Sequence, residues 1–128
     1  MNRQRRQRAE KAGRAAEFVA ANWLRLKGYS VLAQRQKTGS GELDLICRKS
    51  GMVVIVEVKQ RQTLEDAQLA VPDHAWRRIG RAADLWLGKR GVALYDMPRR
   101  YDLVILTRRF KLRHIPDAWR PEYPLTHG

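Results

Sequence analysis

GELDLICRKSGMVVIVEVKQRQ, residues 41–62, holds two apolar runs broken by Ser50-Gly51, and each run carries acids at alternate positions. Runs of this length, rich in β-branched residues and separated by a turn-forming pair, read as the strands of a hairpin over 42–48 and 52–59. Side chains alternate faces along a strand, so Glu42, Asp44 and Ile46 should share one face and Leu43, Leu45 and Cys47 the other. By the same rule Val53, Ile55, Glu57 and Lys59 share a face opposite Val54, Val56 and Val58. A two-residue loop at Ser50-Gly51 makes paired positions sum to 101, because Lys49 then faces Met52. Asp44 falls opposite Glu57, and Glu42 opposite Lys59.

Directly opposed carboxylates repel, so a cation is expected between them. A hard divalent ion such as Mg²⁺ (or Mn²⁺) suits carboxylate oxygens, and the backbone carbonyl of Val58 offers a further oxygen ligand. Lys59 is placed to orient water or to stabilise charge developing on a phosphate. The bland alternative is a solvated strand face whose ion pairs contribute about 0 to 1 kcal/mol. Against it stands the rest of the second strand, MVVIVEV, which is apolar on both faces as a central strand should be.

Outward from the hairpin, the first eight residues are basic and without apolar periodicity and read as a mobile arm. From Ala9 a helix is expected, with Ala12, Ala16, Val19, Trp23 and Leu26 on its packed face and Gly28 at its C-terminal end. YSVLAQRQ (29–36) reads as a strand and KTGSG (37–41) as a turn. The stretch 60–71 reads as a loop, and Pro72 opens a second helix reaching Leu87, its apolar face built from Ala75, Ile79, Ala82 and Trp86. Gly88 and Gly91 bracket a basic turn. YDLVILT and FKLRHI supply two more strands before a tail punctuated by Pro116, Pro121 and Pro124. The order is α-β-β-β-α-β-β: a single α/β (α+β) domain over 9–119, with an arm at 1–8 and a tail at 120–128.

The chain has 128 residues and a formal charge of +13, which points to a polyanionic partner, nucleic acid first and an anionic membrane surface second. A membrane adaptor would need a basic amphipathic helix with a broad apolar face, so no membrane partner is expected. One cysteine, Cys47, excludes an internal disulfide framework and reads as a small buried hydrophobe. No Cys/His set has zinc-ligand spacing, and no apolar run is long enough to span a bilayer. A cytoplasmic location is the default.

Asp44, twelve residues, then Glu57-Val58-Lys59 resembles the PD-(D/E)XK nuclease signature. The longer string GELDLI…VVIVEVKQR resembles the YraN-like family of small bacterial proteins, predicted endonucleases of the restriction-endonuclease-like fold. GRAAEFVAANWLRLKGYSVL, RRIGRAADLWL, RYDLVILT and HIPDAW extend the likeness over residues 13–119. The resemblance implies an αβββαβ core with a mixed sheet flanked by helices. It also implies metal-dependent phosphodiester hydrolysis, with kinship to Holliday-junction resolvases. Carried over, Asp44 and Glu57 would bind metal, Lys59 would be the catalytic lysine, Glu17 would complete the metal site, and Glu42 is a candidate site residue. AQRQK and the neutral Ala75 depart from the family pattern where an asparagine and a basic residue are expected.

Arg35, Lys37, Arg61, Arg77 and Arg81 are expected to form a phosphate-contacting rim; the like charges of Arg77 and Arg81, four apart on a helix, favour an anion between them. Trp76, Trp86, Phe18, Tyr101, Leu103 and Ile105 are assigned to the core. His114 is assigned a structural hydrogen bond, and Asp102 the part of a structural cap or salt-bridge partner. The reading is a Mg²⁺-dependent endonuclease, a hydrolase acting on DNA rather than RNA, on branched or junction forms, with a homodimer as one candidate assembly. The alternative is a non-catalytic nucleic-acid-binding module of the same fold.

Overall fold

The computed structural model describes residues 2–64 and 71–121, with the backbone alone at Ala9. The second half of the 60–71 loop and the tail beyond Pro121, Pro124 included, lie outside the described residues. The elements are α1 (Arg3–Leu26), β1 (Ser30–Thr38), β2 (Gly41–Lys49), β3 (Met52–Arg61), α2 (Asp73–Gly88), α3 (Val92–Tyr95), β4 (Arg99–Thr107) and β5 (Leu112–Trp119). The five strands form one sheet in sequence order. Only β3 and β4 run parallel; the other neighbours are antiparallel. A parallel neighbour needs a long crossover, and the segment carrying α2 supplies it. This is the α+β arrangement the strand pattern indicates, consistent with a restriction-endonuclease-like core.

The hairpin register holds as read from Lys49–Met52 to Leu45–Val56, while the expected pairs Asp44–Glu57 and Glu42–Lys59 lie beyond the ladder. Leu45 pairs with Val56 and Lys49 with Met52, and both Ser50 (φ 52°) and Gly51 (φ 75°) are left-handed, as a two-residue hairpin turn of the I′ kind requires. Val53 through Val56 are all buried, so β3 is the central strand, covered on both faces. On one face α2 packs Trp76, Ile79, Ala82, Ala83, Trp86 and Leu87 against Leu43, Ile46, Val53, Ile55, Tyr101, Leu103 and Ile105. On the other, α1 packs Ala16, Ala20, Ala21 and Leu24 against Leu45, Cys47, Val54, Val56, Val58, Val104 and Leu106. Cys47 is a buried thiol in that second core, its pKa pushed up to about 12 by burial.

Three expectations are corrected. The helix begins at Arg3, capped by the Asn2 side chain accepting the Arg5 N–H at 2.8 Å, so most of the expected arm is helical. The expected packed face of α1 holds only in part: Ala16 is buried and Val19 and Trp23 are partly buried against the core, but Ala12 is exposed and Leu26 is 88% exposed, and the fully buried stripe is Ala16, Glu17, Ala20, Ala21 and Leu24. Alanines bring the helix backbone close to the sheet, so the larger residues end up flanking the contact. Phe18 is 65% exposed rather than core for the same reason: it sits beside the stripe, not in it. α1 ends as expected, with Gly28 at φ 93° and the Tyr29 N–H bonded to the Leu24 carbonyl at 3.0 Å.

β5 runs through Pro116, which an edge strand tolerates. Asp117 takes φ 55° where the β4–β5 register shifts.

Candidate functional site

The β2–β3 pairing stops at Leu45–Val56. One residue further on, Asp44 reaches across with its side chain, and its Oδ2 accepts the Val58 N–H at 2.9 Å. A carboxylate held by a backbone amide is fixed in direction. The simple alternation of faces fails here. Leu43 and Ile46 both lie in the α2-side core, whereas Leu45 and Cys47 lie in the α1-side core. Leu43, Leu45 and Cys47 therefore do not share a face, nor do Asp44 and Ile46. The break sits opposite Arg35, which has φ 52°, between the pairs Gln34–Leu45 and Gln36–Leu43. A left-handed arginine inside a strand is a costly backbone state. Its effect is to turn the Glu42–Asp44 segment toward α1.

On α1, Glu17 lies within the buried stripe, 8% exposed, and points at that segment. Carboxylate oxygens of Glu17, Glu42 and Asp44 all lie within 4.8 Å of one another. Glu57 joins through Asp44, whose negative charge acts directly on its carboxyl. Lys59 Nζ sits 3.2 Å from Glu57 Oε2, and Arg35 donates to Glu17 Oε1 at 3.2 Å.

The electrostatics follow. Burial, then the charge and hydrogen bond of Asp44, push the Glu57 carboxyl well above the usual carboxylate range, with Lys59 pulling the other way. Burial, then Asp44 and Glu42, raise Glu17, with Arg35 opposing. Four carboxyls against two cations leave an excess of negative charge in a half-buried place. The donor set is all oxygen, so a hard divalent cation fits it; a soft metal does not. Val58 contributes its amide to Asp44, and its side chain is buried among the α1-side core residues.

The profile of the Uncharacterised protein family UPF0102 matches residues 16–106. Relatives described as UPF0102 proteins include one from Rhizobium meliloti (strain 1021), 47% identical over 115 residues, covering 90% of this chain and 93% of its own length. Another, from Chelativorans sp. (strain BNC1), is 52% identical over 118 residues, covering 89% and 91%. A third, from Paramagnetospirillum magneticum, is 43% identical over 118 residues, with the same coverage. The chain belongs to UPF0102. The matched segment takes in Glu17, Glu42, Asp44, Glu57 and Lys59 and begins after the basic first half of α1.

The expected rim separates on inspection of this UPF0102 member. Arg35 belongs to the acidic cluster itself. Lys37 stands opposite Glu42 in the β1–β2 register. Arg61, half-buried, ends β3 and donates to the Gln60 carbonyl at 2.6 Å. Arg77 pairs with Asp73 one turn back at 2.8 Å, so its charge is offset within its own helix and needs no anion between it and the exposed Arg81. The basic residue of α2 that does reach the site end is Arg78, which went unpredicted. Its Cδ would lie 3.2 Å from a Cβ at Gly41, the residue before Glu42, a close approach that a larger residue would have to push aside; Gly41 also has φ 144°, which favours glycine. The Arg77-Arg78 doublet signals basic charge, but the helix phase selecting Arg78 is not evident from the sequence.

On β4 Asp102, fully buried, accepts from Arg100 at 2.7 and 2.8 Å and from the Asp117 N–H at 3.0 Å, and bonds His114 Nε2 at 2.7 Å. His114 Nδ1 meets Lys27 Nζ at 2.6 Å. Both residues have the structural roles assigned to them. Among the described residues no helix is long and apolar enough to cross a membrane.

Proposed function

We propose that this UPF0102 member is a metal-dependent endonuclease acting on DNA, with Mg²⁺ or Mn²⁺ bound by Glu17, Glu42 and Asp44. The observation that supports it most is the convergence of three carboxylates beside the Glu57–Lys59 pair, an arrangement unfavourable for the fold and suited to a cation. A bound metal would supply Lewis-acid activation of the scissile phosphate and a lowered pKa for water. Asp44, fixed by the Val58 amide, orients the ligand set. Glu57 positions the Lys59 ammonium, which would release Glu57 to aim a water at phosphorus or to meet the negative charge that develops there. Arg35, Lys37 and Arg78 would hold the flanking phosphates. The net charge of +13 supports a nucleic-acid substrate.

The test is a cleavage screen over junctions, flaps, single strands and duplexes, in DNA and RNA, with Mg²⁺, Mn²⁺ or EDTA. Metal-dependent cutting of DNA that disappears in Asp44→Ala and Lys59→Ala, with binding retained, supports the enzyme. Binding without cutting by the wild type on every substrate supports a non-catalytic module of the same fold.

A further inference from the structure

α1 has two unlike halves. From Ala16 onward it is packed on the sheet. Before that, every described side chain is exposed, so the helix projects from the domain over roughly 18 Å at 1.5 Å per residue. The projection carries Arg3, Arg5, Arg6, Arg8, Lys11 and Arg14 against one acid, Glu10. Among the described residues none of these six side chains makes an ion pair.

Physically this helix is weak when free. A segment of this length without tertiary packing is marginal in water. Its first turn holds arginines and no acid, the wrong sign for the positive end of the helix dipole. Arg5, Arg8, Lys11 and Arg14 repeat every three residues, a like-charge stack. Gly13 stands at the junction with the packed half; a Cβ there would meet nothing within 4 Å, so packing does not require glycine, which lowers helix stability by about 1 kcal/mol relative to alanine. Each of these defects is relieved by a polyanion lying along the helix.

At 100° per residue, Arg3, Arg6 and Arg14 fall on the side of α1 that carries Glu17, while Arg5, Arg8 and Lys11 fall on the opposite side. A flat anionic surface could neutralise only one side. A groove walled by phosphates serves both, and the major groove of B-form DNA admits a helix, whereas that of A-form RNA does not. We propose that the projecting half of α1 docks in the major groove of a DNA duplex, gaining helical order as it binds. Because Glu17 is on the same helix, the contact lies on duplex flanking the candidate metal site and extends about 21 Å from it, roughly six base pairs. The proposal rests on the reading of DNA as partner, not on cleavage.

The experiment uses the full-length chain in EDTA and a labelled DNA duplex, so no cutting intervenes. Arg5→Gln/Arg8→Gln/Lys11→Gln, all remote from Glu17's side, should weaken binding at least tenfold and reduce the slope of log affinity against log salt by about 3. Amides of residues 3–14 should gain protection from hydrogen exchange when DNA is added. Gly13→Ala should bind DNA a few-fold more tightly, because the helix is better formed beforehand. Unchanged affinity and slope in the triple variant, no gain from Gly13→Ala, or equal binding to an RNA duplex of the same sequence each overturn the proposal. A chain that never cuts DNA yet shows these effects sinks the nuclease reading alone; one that cuts normally without them sinks this one alone.

Discussion

Two acidic centres, the fully buried Asp102 on β4 and the half-buried cluster around Asp44, are opposites. Asp102 has Arg100, His114 and the Asp117 amide around a single carboxylate, and these bonds hold it below the usual aspartate range despite burial. At the other centre Glu17, Glu42, Asp44 and Glu57 crowd two cations, and the buried Glu17 and the half-buried Glu57 are driven up. Burial is common to both; compensation is not. A saturated acid is explained by the fold, whereas an under-compensated cluster costs the fold stability and calls for a ligand from outside.

The sharpest way to break that contrast is to delete one acid from each centre. Asp44→Ala should abolish metal-dependent cleavage, a loss of at least about 10³-fold in kcat. Its stability should stay within roughly 1 kcal/mol of wild type, since the lost Val58 bond is offset by relieved repulsion. Asp102→Ala strands Arg100 and His114 and should lower stability by about 3–5 kcal/mol in urea unfolding. Its remaining folded fraction should retain Mg²⁺ binding. If Asp44→Ala destabilises as much as Asp102→Ala, the two centres are of one kind and the acidic cluster is structural.

Metal provides the next test. Mg²⁺ at a hundred times its Kd should stabilise the wild type by about 2.7 kcal/mol, a rise in Tm of roughly 10 °C by scanning calorimetry. Glu17→Gln and Asp44→Asn should lose that rise, and Asp117→Asn, beside the satisfied Asp102, should keep it. An equal rise in all of them would mean that the ion binds elsewhere.

How far the two centres were legible in the sequence follows from what each depends on. Hairpin register was readable because Ser50-Gly51 suits a turn with two left-handed residues, and it brought Asp44 close to Glu57 and Lys59. Asp102 and His114 were readable as structural from their place in apolar strands. The turning of Glu42 and Asp44 toward α1 was not, because it depends on a left-handed Arg35, and arginine carries no signal for that state where glycine or asparagine would. Glu17 stood out as an odd acid in an apolar stretch, yet its stripe was read only in part: Leu26 outweighs an alanine in any periodicity, although Ala20 and Ala21 are buried and Leu26 is exposed. The helical start at Arg3 was hidden because a stretch with no apolar face has no period to detect; only Asn2 as a cap announced it.

The finest distinction between the centres is the sign of their pH dependence. Asp102, lowered in the fold, adds stability above its unfolded pKa of 3.8 that is lost as pH falls through the lower folded value. Glu57 does the reverse. Its folded pKa is raised from 4.5 to about 8, so between these values the native state keeps a proton that the unfolded chain has released. Stability of the metal-free protein should therefore fall as pH climbs through that window, Glu17 adding to the slope in the same direction. In EDTA, Glu57→Gln should flatten the decline and raise stability at pH 7 by about 1–2 kcal/mol, the sign expected when a residue kept for function opposes the fold. Saturating Mg²⁺ should remove the decline in the wild type, because the ion compensates the ionised cluster. A Glu57→Gln variant less stable than wild type at pH 7 would mean that the Lys59 pair outweighs desolvation, and that the acidic cluster is balanced after all.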